Sequence, residues 1–239
     1  MNLPPIEGFG FIADIREPAE LGSSLYLQGC NFNCPYCLNR GLLSRKNNLV
    51  DPDFIINRLQ LRMEHLVVLS GGEPFIHDSI LDLCDVLKCR NFEVAVATNG
   101  SFPDKIKKGT EMGVIDHVIM DVKTVLEKSR YEEVVGRSLK EKEFNNILES
   151  VDYLVNGPCY KPSTEFRTTV CSKFVSREDL ISIANYLGSS VYYVLQPFTV
   201  HQTLDPSLAD KKYIVPFETL VEWSKKLEKI VFSCIVREV

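Results

Sequence analysis

The sequence predicts an α/β protein: a parallel sheet covered by helices. Three observations carry this. Six short apolar runs, at 23–28, 66–70, 92–98, 116–122, 166–171 and 191–196, alternate with segments of helical length and pattern. The runs are near-continuously apolar, as in Leu66-Val67-Val68-Leu69, which fits strands covered on both faces. Chemically distinctive residues gather at the C-terminal ends of these runs, where the βα loops of a parallel barrel open on one face.

In order along the chain, Gly8 to Ile15 mixes aromatic and β-branched residues and reads as a lead-in strand. Ser23 to Gln28 is the first strand of the repeat. Asp51 can cap a helix to about Arg62 with Phe54, Ile55, Leu59 and Leu61 on its apolar side. Strand 66–70 leads into Gly71-Gly72-Glu73-Pro74 and a helix over 79–88. Strand 92–98 ends in Asn99-Gly100, and Pro103 opens a helix to about Met112, in a first turn where its missing N–H is harmless. Strand 116–122 is followed by a charged stretch, 124–139, that reads as irregular, then a helix over 140–154. After a loop at 156–163 comes strand 166–171. Ser176 caps a helix to Leu187, with Glu178 and Asp179 in its first turn. Strand 191–196, a loop, a helix over 216–230 and a β-type run over 231–236 complete the chain. With no low-complexity segment or linker, 1–239 reads as one domain, with a core of about 8–200 and an extension over 201–239.

Composition narrows the function classes. Hydrophobic residues make up 45% and charged residues 25%, as in a soluble globular protein. A net charge of −5 gives no electrostatic case for nucleic acid or an anionic membrane. No apolar run approaches the length of a membrane span, and the N-terminus lacks the basic-then-apolar pattern of a signal peptide. Of 8 cysteines, three cluster and Cys84, Cys89, Cys159, Cys171 and Cys234 are scattered. That usage fits a reducing cytoplasm, a metal role for the cluster and buried apolar roles for the rest.

The cluster is Cys30, Cys34 and Cys37, spaced C-x3-C-x2-C on the loop after the first strand. A structural zinc site takes four ligands, so three close thiols read either as part of a zinc knuckle, as buried thiols, or as ligands of three irons of a [4Fe–4S] cluster with the fourth iron open.

C-x3-C-x2-C on the first loop with Gly71-Gly72-Glu73-Pro74 after the second strand resembles the radical S-adenosylmethionine (radical SAM) enzymes. The resemblance covers about residues 8 to 200 and implies a partial (β/α)6 barrel. It implies that Cys30, Cys34 and Cys37 hold the [4Fe–4S] cluster and that S-adenosylmethionine (SAM) chelates the open iron. Reductive cleavage of SAM then yields methionine and a 5′-deoxyadenosyl radical that abstracts hydrogen. On this reading Tyr36 packs near adenine, and Gly71, Gly72 and Glu73 receive the SAM ammonium. Thr98 and Asn99 bond its ribose or carboxylate, Asp121 and Lys123 grip its ammonium and carboxylate, and Arg167 and Gln196 complete the pocket. Arg167, buried by pattern, needs an anionic partner, either SAM or a carboxylate of the protein.

Within that superfamily, Gly8-Phe9-Gly10-Phe11-Ile12, Leu27-Gln28-Gly29-Cys30-Asn31-Phe32, Thr98-Asn99-Gly100-Ser101, Met120-Asp121-Val122-Lys123, Glu165-Phe166-Arg167-Thr168-Thr169-Val170 and Leu195-Gln196-Pro197-Phe198 resemble the activating proteins of anaerobic ribonucleoside-triphosphate reductase. The implied partner is a glycyl-radical enzyme, with a flavodoxin or ferredoxin as electron donor. The chain departs from that pattern over Ile15 to Gly22 and at Leu38, where the family commonly has histidine after the third cysteine. A radical SAM enzyme acting on a small molecule or nucleotide, like the deazapurine synthases, is the second reading, with Arg167, Lys161, His201 and Gln202 as substrate contacts. A non-catalytic Fe–S or zinc protein is the third, and it has no use for Gly-Gly-Glu-Pro or Asp-x-Lys at the strand ends.

Overall fold

A computed structural model describes residues 3–4, 6–11, 22–43, 51–61, 65–157, 163–200 and 203–237. One open sheet runs through them in sequence order, β1 to β8. Its strands are β1 (Ile6–Phe11), β2 (Ser23–Leu27), β3 (Leu66–Gly71), β4 (Glu93–Thr98), β5 (His117–Asp121), β6 (Ser163–Val170), β7 (Tyr192–Pro197) and β8 (Ser233–Val236). β2 through β8 pair in parallel, and β1 lies antiparallel on the edge of β2. The helices are α1 (Pro52–Leu61), α2 (Ile80–Cys89), α3 (Pro103–Glu111), α4 (Lys128–Val135), α5 (Glu141–Asn156), α6 (Arg177–Leu187) and α7 (Phe217–Leu227). None of the described helices is long and apolar enough to cross a membrane.

The six expected parallel strands are present, and the α/β class with them. The sheet also extends further than the sequence reading. The final run pairs with β7 as a seventh parallel strand, with Tyr193 opposite Cys234 and Leu195 opposite Val236. The lead-in strand occupies Ile6–Phe11, and Ile12 to Ile15 lie outside the described residues. The irregular stretch over 124–139 is corrected: it contains α4. That helix buries only Tyr131, Val134 and Val135, spaced i, i+3, i+4, and stops at Gly136 in the left-handed region at φ 68°. Its remaining residues are charged or polar, which hid so short an apolar stripe.

Two faces divide the core. Val67, Leu69, Val94, Val96, Val118, Met120, Phe166, Tyr193 and Leu195 pack outward under the helices. The alternate residues, Leu66, Val68, Ala95 and Ile119, form a smaller cluster on the inner face. Further toward the C-terminal strand ends, this inner parity carries Ser70, Ala97, Asp121, Arg167, Thr169 and Gln196. Two hydroxyls stitch the outer layer: Tyr193 donates to Thr168 Oγ1 at 2.8 Å, and Thr168 donates to the Val122 carbonyl at 2.7 Å.

Local signals hold where they are purely local. The Asp53 N–H donates to Asp51 Oδ1 at 3.1 Å at the start of α1. Ser176 and Asp179 form the reciprocal capping box of α6. The apolar side of α1 is different from the one expected: Ile55, Ile56 and Leu59 are fully buried, while Phe54 is 52% and Leu61 84% exposed. Phe54 instead lies under the Arg58 guanidinium, 5.7 Å from its ring centre. Cys84, Cys171 and Cys234 are buried as expected, Cys89 is exposed, and Cys159 lies outside the described residues.

These placements separate two substitutions that the sequence pattern treats alike. Phe166→Ala should lower unfolding free energy by about 3–5 kcal/mol in urea titrations, since Phe166 is fully buried beneath the helices. Leu61→Ser should change it by less than about 0.5 kcal/mol; equal losses would contradict the assigned faces.

Candidate active site

The loop after β2 is held chiefly by its backbone. Gly29 N–H donates to the Leu42 carbonyl at 2.6 Å, and the Gly29 carbonyl accepts from Glu73 N–H at 2.9 Å. Gly72 N–H donates to the Leu27 carbonyl at 2.9 Å. The cysteine loop and the Gly-Gly-Glu-Pro loop therefore lie backbone against backbone. A Cβ at Gly72 would overlap the Gly29 carbonyl oxygen, so no larger residue fits without separating the two loops. His77 Nε2 bonds the Gln28 carbonyl at 2.7 Å, and Asn39 Nδ2 donates to the Gly71 carbonyl at 3.1 Å. Within the loop, Cys37 N–H donates to the Cys34 carbonyl at 2.9 Å, and Phe32 N–H approaches Cys30 Sγ at 3.4 Å.

Glu73 is 1% exposed, and its carboxylate gathers donors from two strand ends. Oε1 accepts from Phe75 N–H at 3.1 Å and from the Thr98 hydroxyl at 2.8 Å; Oε2 accepts from Asn99 N–H at 2.7 Å. Burial pushes its carboxyl up to about 7, against the pull of those donors toward the ionised form. Asn99 in turn donates from Nδ2 to Asn31 Oδ1 at 2.8 Å and accepts from Ser101. The carboxylate thus joins the ends of β3 and β4, and the Glu73 backbone and the Asn99 side chain tie them to the loop after β2.

Across the sheet, Lys123 Nζ lies 2.6 Å from Asp121 Oδ2, with the lysine side chain 14% exposed. Burial disfavours the Lys123 charge, but Asp121, Tyr36 and Cys34 outweigh it and hold the ammonium well above its usual range. The Lys123 N–H donates to Tyr131 Oη at 3.1 Å. On β6, Arg167 Nε pairs with Glu165 Oε1, and Arg237 Nη1 takes the same carboxylate at 2.8 and 2.9 Å. The anionic partner required for Arg167 therefore includes a carboxylate of the protein.

All these strand ends enclose one cleft of about 220 Å³. Its lining contains Cys30, Cys34 and Cys37, and with them Tyr36, Gly71, Gly72, Glu73, Thr98, Asn99, Asp121, Lys123, Arg167 and Gln196. Every residue singled out from the sequence as a cluster or SAM contact reaches this cleft. Phe32, Leu38, Asn39, Leu43, Ser70, Thr169 and Phe198 line it as well; the four apolar ones carry no chemical signal that would have marked them. Lys161, His201 and Gln202 lie outside the described residues. A second cavity, about 230 Å³, opens at the N-terminal strand ends between His117, Glu165, Tyr192 and Arg237, and it contains none of the thiols.

Several features fit a multi-iron group held by the three cysteines. The thiols are free rather than paired in disulfides. Burial pushes Cys30 up to about 11 and Cys34 up to about 12, and raises Cys37, so thiolates here require a cationic partner. Among the described residues no three His, Cys, Asp or Glu side chains converge on the position of a single ion. The thiols all face one cleft. Tyr36, 5% exposed, packs its ring 6.0 Å from that of Phe174, and among the described residues its buried hydroxyl has no hydrogen-bond partner.

Comparisons with known proteins bear on the family. A Methanocaldococcus jannaschii protein named "putative glycyl-radical enzyme activating enzyme" is 28% identical over 237 residues, covering 98% of this chain and 96% of that protein. The 7-carboxy-7-deazaguanine synthase of Aquifex aeolicus is 29% identical over 139 residues, covering 51% of this chain and 62% of that enzyme. Among solved structures, Streptococcus suis SuiB bound to precursor peptide SuiA superimposes with a TM-score of 0.63 at 12% identity, over 88% of this chain and 47% of that one, a likeness of fold. The profile of the radical SAM superfamily matches residues 25–184, from within the first parallel strand into α6, and the chain belongs to that superfamily.

Proposed function

We propose that this protein is a glycyl-radical-enzyme activase whose [4Fe–4S] cluster is held by Cys30, Cys34 and Cys37 and whose SAM occupies the cleft. The observation that carries the chemistry is the convergence of three free thiols with Glu73, Asp121, Lys123 and Arg167 in one cleft at the C-terminal strand ends. Support for a protein substrate is the relative named as an activating enzyme, which aligns over nearly the whole of both chains. When bound, the reduced cluster supplies one electron that cleaves SAM to methionine and a 5′-deoxyadenosyl radical, which takes a hydrogen atom from a partner glycine.

The residues of the chain divide this work. Cys30, Cys34 and Cys37 leave one iron without a protein ligand. The loop over Gly71 and Gly72 offers backbone to the SAM ammonium, while Glu73 acts at one remove, fixing the ends of β3 and β4. Thr98 is likewise committed to Glu73, so its contribution is to hold that carboxylate rather than to reach a ribose. Asp121 and Lys123 present both signs of charge to the zwitterionic methionine end. Tyr36 closes the cysteine side of the cleft. Phe32, Leu38 and Phe198 form apolar lining that excludes water from a reactive radical.

A second reading, a small-molecule substrate, is favoured by one observation: Arg167, whose Nε is paired with Glu165, also lines the cleft, and a guanidinium suits a carboxylate or phosphate. The match to a 7-carboxy-7-deazaguanine synthase over about half the chain is consistent with it.

Anaerobic reconstitution with iron and sulfide, reduction, and addition of SAM should yield 5′-deoxyadenosine, and Cys34→Ala should abolish it; absence of product from a loaded wild-type protein would overturn the enzyme reading. Mixing with an anaerobic ribonucleoside-triphosphate reductase should add a glycyl doublet to the EPR spectrum. Turnover of SAM without that doublet would favour the small-molecule reading.

Glu73 gives a pH signature. Its folded-state value, about 7, lies above that of an exposed carboxylate, so its protonated form stabilises the fold and that contribution is lost as pH rises through 7. The melting temperature of the unloaded wild type should therefore fall relative to Glu73→Gln between about pH 5 and about pH 8. A constant difference across that range would contradict a buried titrating carboxyl.

A further inference from the structure

We infer that Arg137, together with the turn at Val135 and Gly136, is a positioning element that holds the cysteine loop in the shape its cluster requires. The inference rests on the reading of Cys30, Cys34 and Cys37 as ligands. It gives a role to the charged stretch after β5, which had none in the sequence.

The contacts fall on the three residues between the first two cysteines. Arg137 Nε donates to the Asn31 carbonyl at 2.7 Å. Its guanidinium lies over the Phe32 ring, 5.5 Å from the centre. Asn33 N–H donates to the Val135 carbonyl at 2.9 Å. Gly136, at φ 68°, abuts the Asn33 carbonyl so closely that a Cβ there would overlap it. Asn31, Phe32 and Asn33 are therefore each in contact with residues 135–137, and the hydrogen bonds take the Asn31 carbonyl and the Asn33 N–H, on either side of Phe32.

Arg137 does not line the cleft. It acts through the loop, and it is itself fixed from behind. Nη2 pairs with Glu143 Oε1 at 2.6 Å, and Nη1 donates to the Ser138 carbonyl at 2.9 Å. Glu143 is locked in turn, because its Oε2 accepts the Lys140 N–H at 2.8 Å at the start of α5. A planar guanidinium satisfies a loop carbonyl and a helix carboxylate at once; a lysine ammonium offers no such fork. The geometry has a second consequence. One face of Phe32 carries a fixed positive charge while the residue also borders the cleft, and a positive charge near an iron–sulfur cluster favours its reduced state.

The test compares wild type with Arg137→Met, Arg137→Lys and Glu143→Gln. In the unloaded protein, hydrogen exchange of peptides covering residues 28–38 should quicken in Arg137→Met and, to a smaller extent, in Glu143→Gln. In the reconstituted protein, a chelator should strip iron roughly tenfold faster from Arg137→Met. Its midpoint potential, followed by EPR of poised samples, should become more negative. Arg137→Lys should restore the potential but not the chelator resistance. Wild-type exchange, iron loss and potential in Arg137→Met would overturn the proposal. If Arg137→Met does not reach the wild-type circular dichroism spectrum, Glu143→Gln decides, and unchanged loop exchange in that variant overturns it. If wild type itself takes up no cluster, the cofactor reading fails, and exchange in the unloaded protein still decides whether Arg137 holds the loop.

Discussion

The site depends on one backbone contact, that of Gly72 against Gly29. It brings the loop after β3 against the loop after β2 with no side chain between them, and the Glu73 N–H reaches the Gly29 carbonyl as a result. From that point the Glu73 carboxylate is turned inward, where donors from Phe75, Thr98 and Asn99 converge on it. Asn99 then reaches Asn31 between the first two cysteines. Three strand ends become one rigid unit before any ligand arrives, the condition under which bound groups lose little free energy to reorganisation. Separation of the two glycines would release all of these contacts together.

Charge inside the sheet is arranged around the same unit. Asp121 and Lys123 pair at the mouth of the cleft, and below them Glu165 is shared by Arg167 and Arg237. Arg167 borders the upper cleft while Glu165 and Arg237 border the lower cavity, so one carboxylate links the two ends of the inner face. A buried ion triad is a costly way to fill a core and adds little net stability over apolar packing. Its value here is directional, because it fixes which way the Arg167 fork points. Since Arg237 follows β8, the seventh parallel strand contributes to the electrostatics of a cleft it does not line.

The residues that share the cleft were legible because parallel topology places all βα loops on one face, and the chain puts its chemically distinctive residues in those loops. Thiols, paired glycines and a strand-end Asp-x-Lys announce themselves by type and spacing. What stayed hidden depends on contact rather than type. The sequence could not reveal that Gly72 packs against the Gly29 backbone, or that Glu73 faces Thr98 and Asn99. The register that adds β8 to the sheet is set by tertiary pairing. On α1, apolar spacing alone could not separate buried Ile56 from exposed Leu61. α4 was missed because three buried residues among charges make a weak periodic signal, although its final turn supports the cysteine loop.

The central claim is that the three-cysteine loop holds a four-iron cluster with one iron left for SAM. The most direct measurement is the Mössbauer spectrum of the reconstituted protein before and after SAM is added. The account predicts that one iron site of four changes toward higher coordination while three keep thiolate-like parameters. A spectrum in which all irons respond alike, or in which none responds, would contradict it.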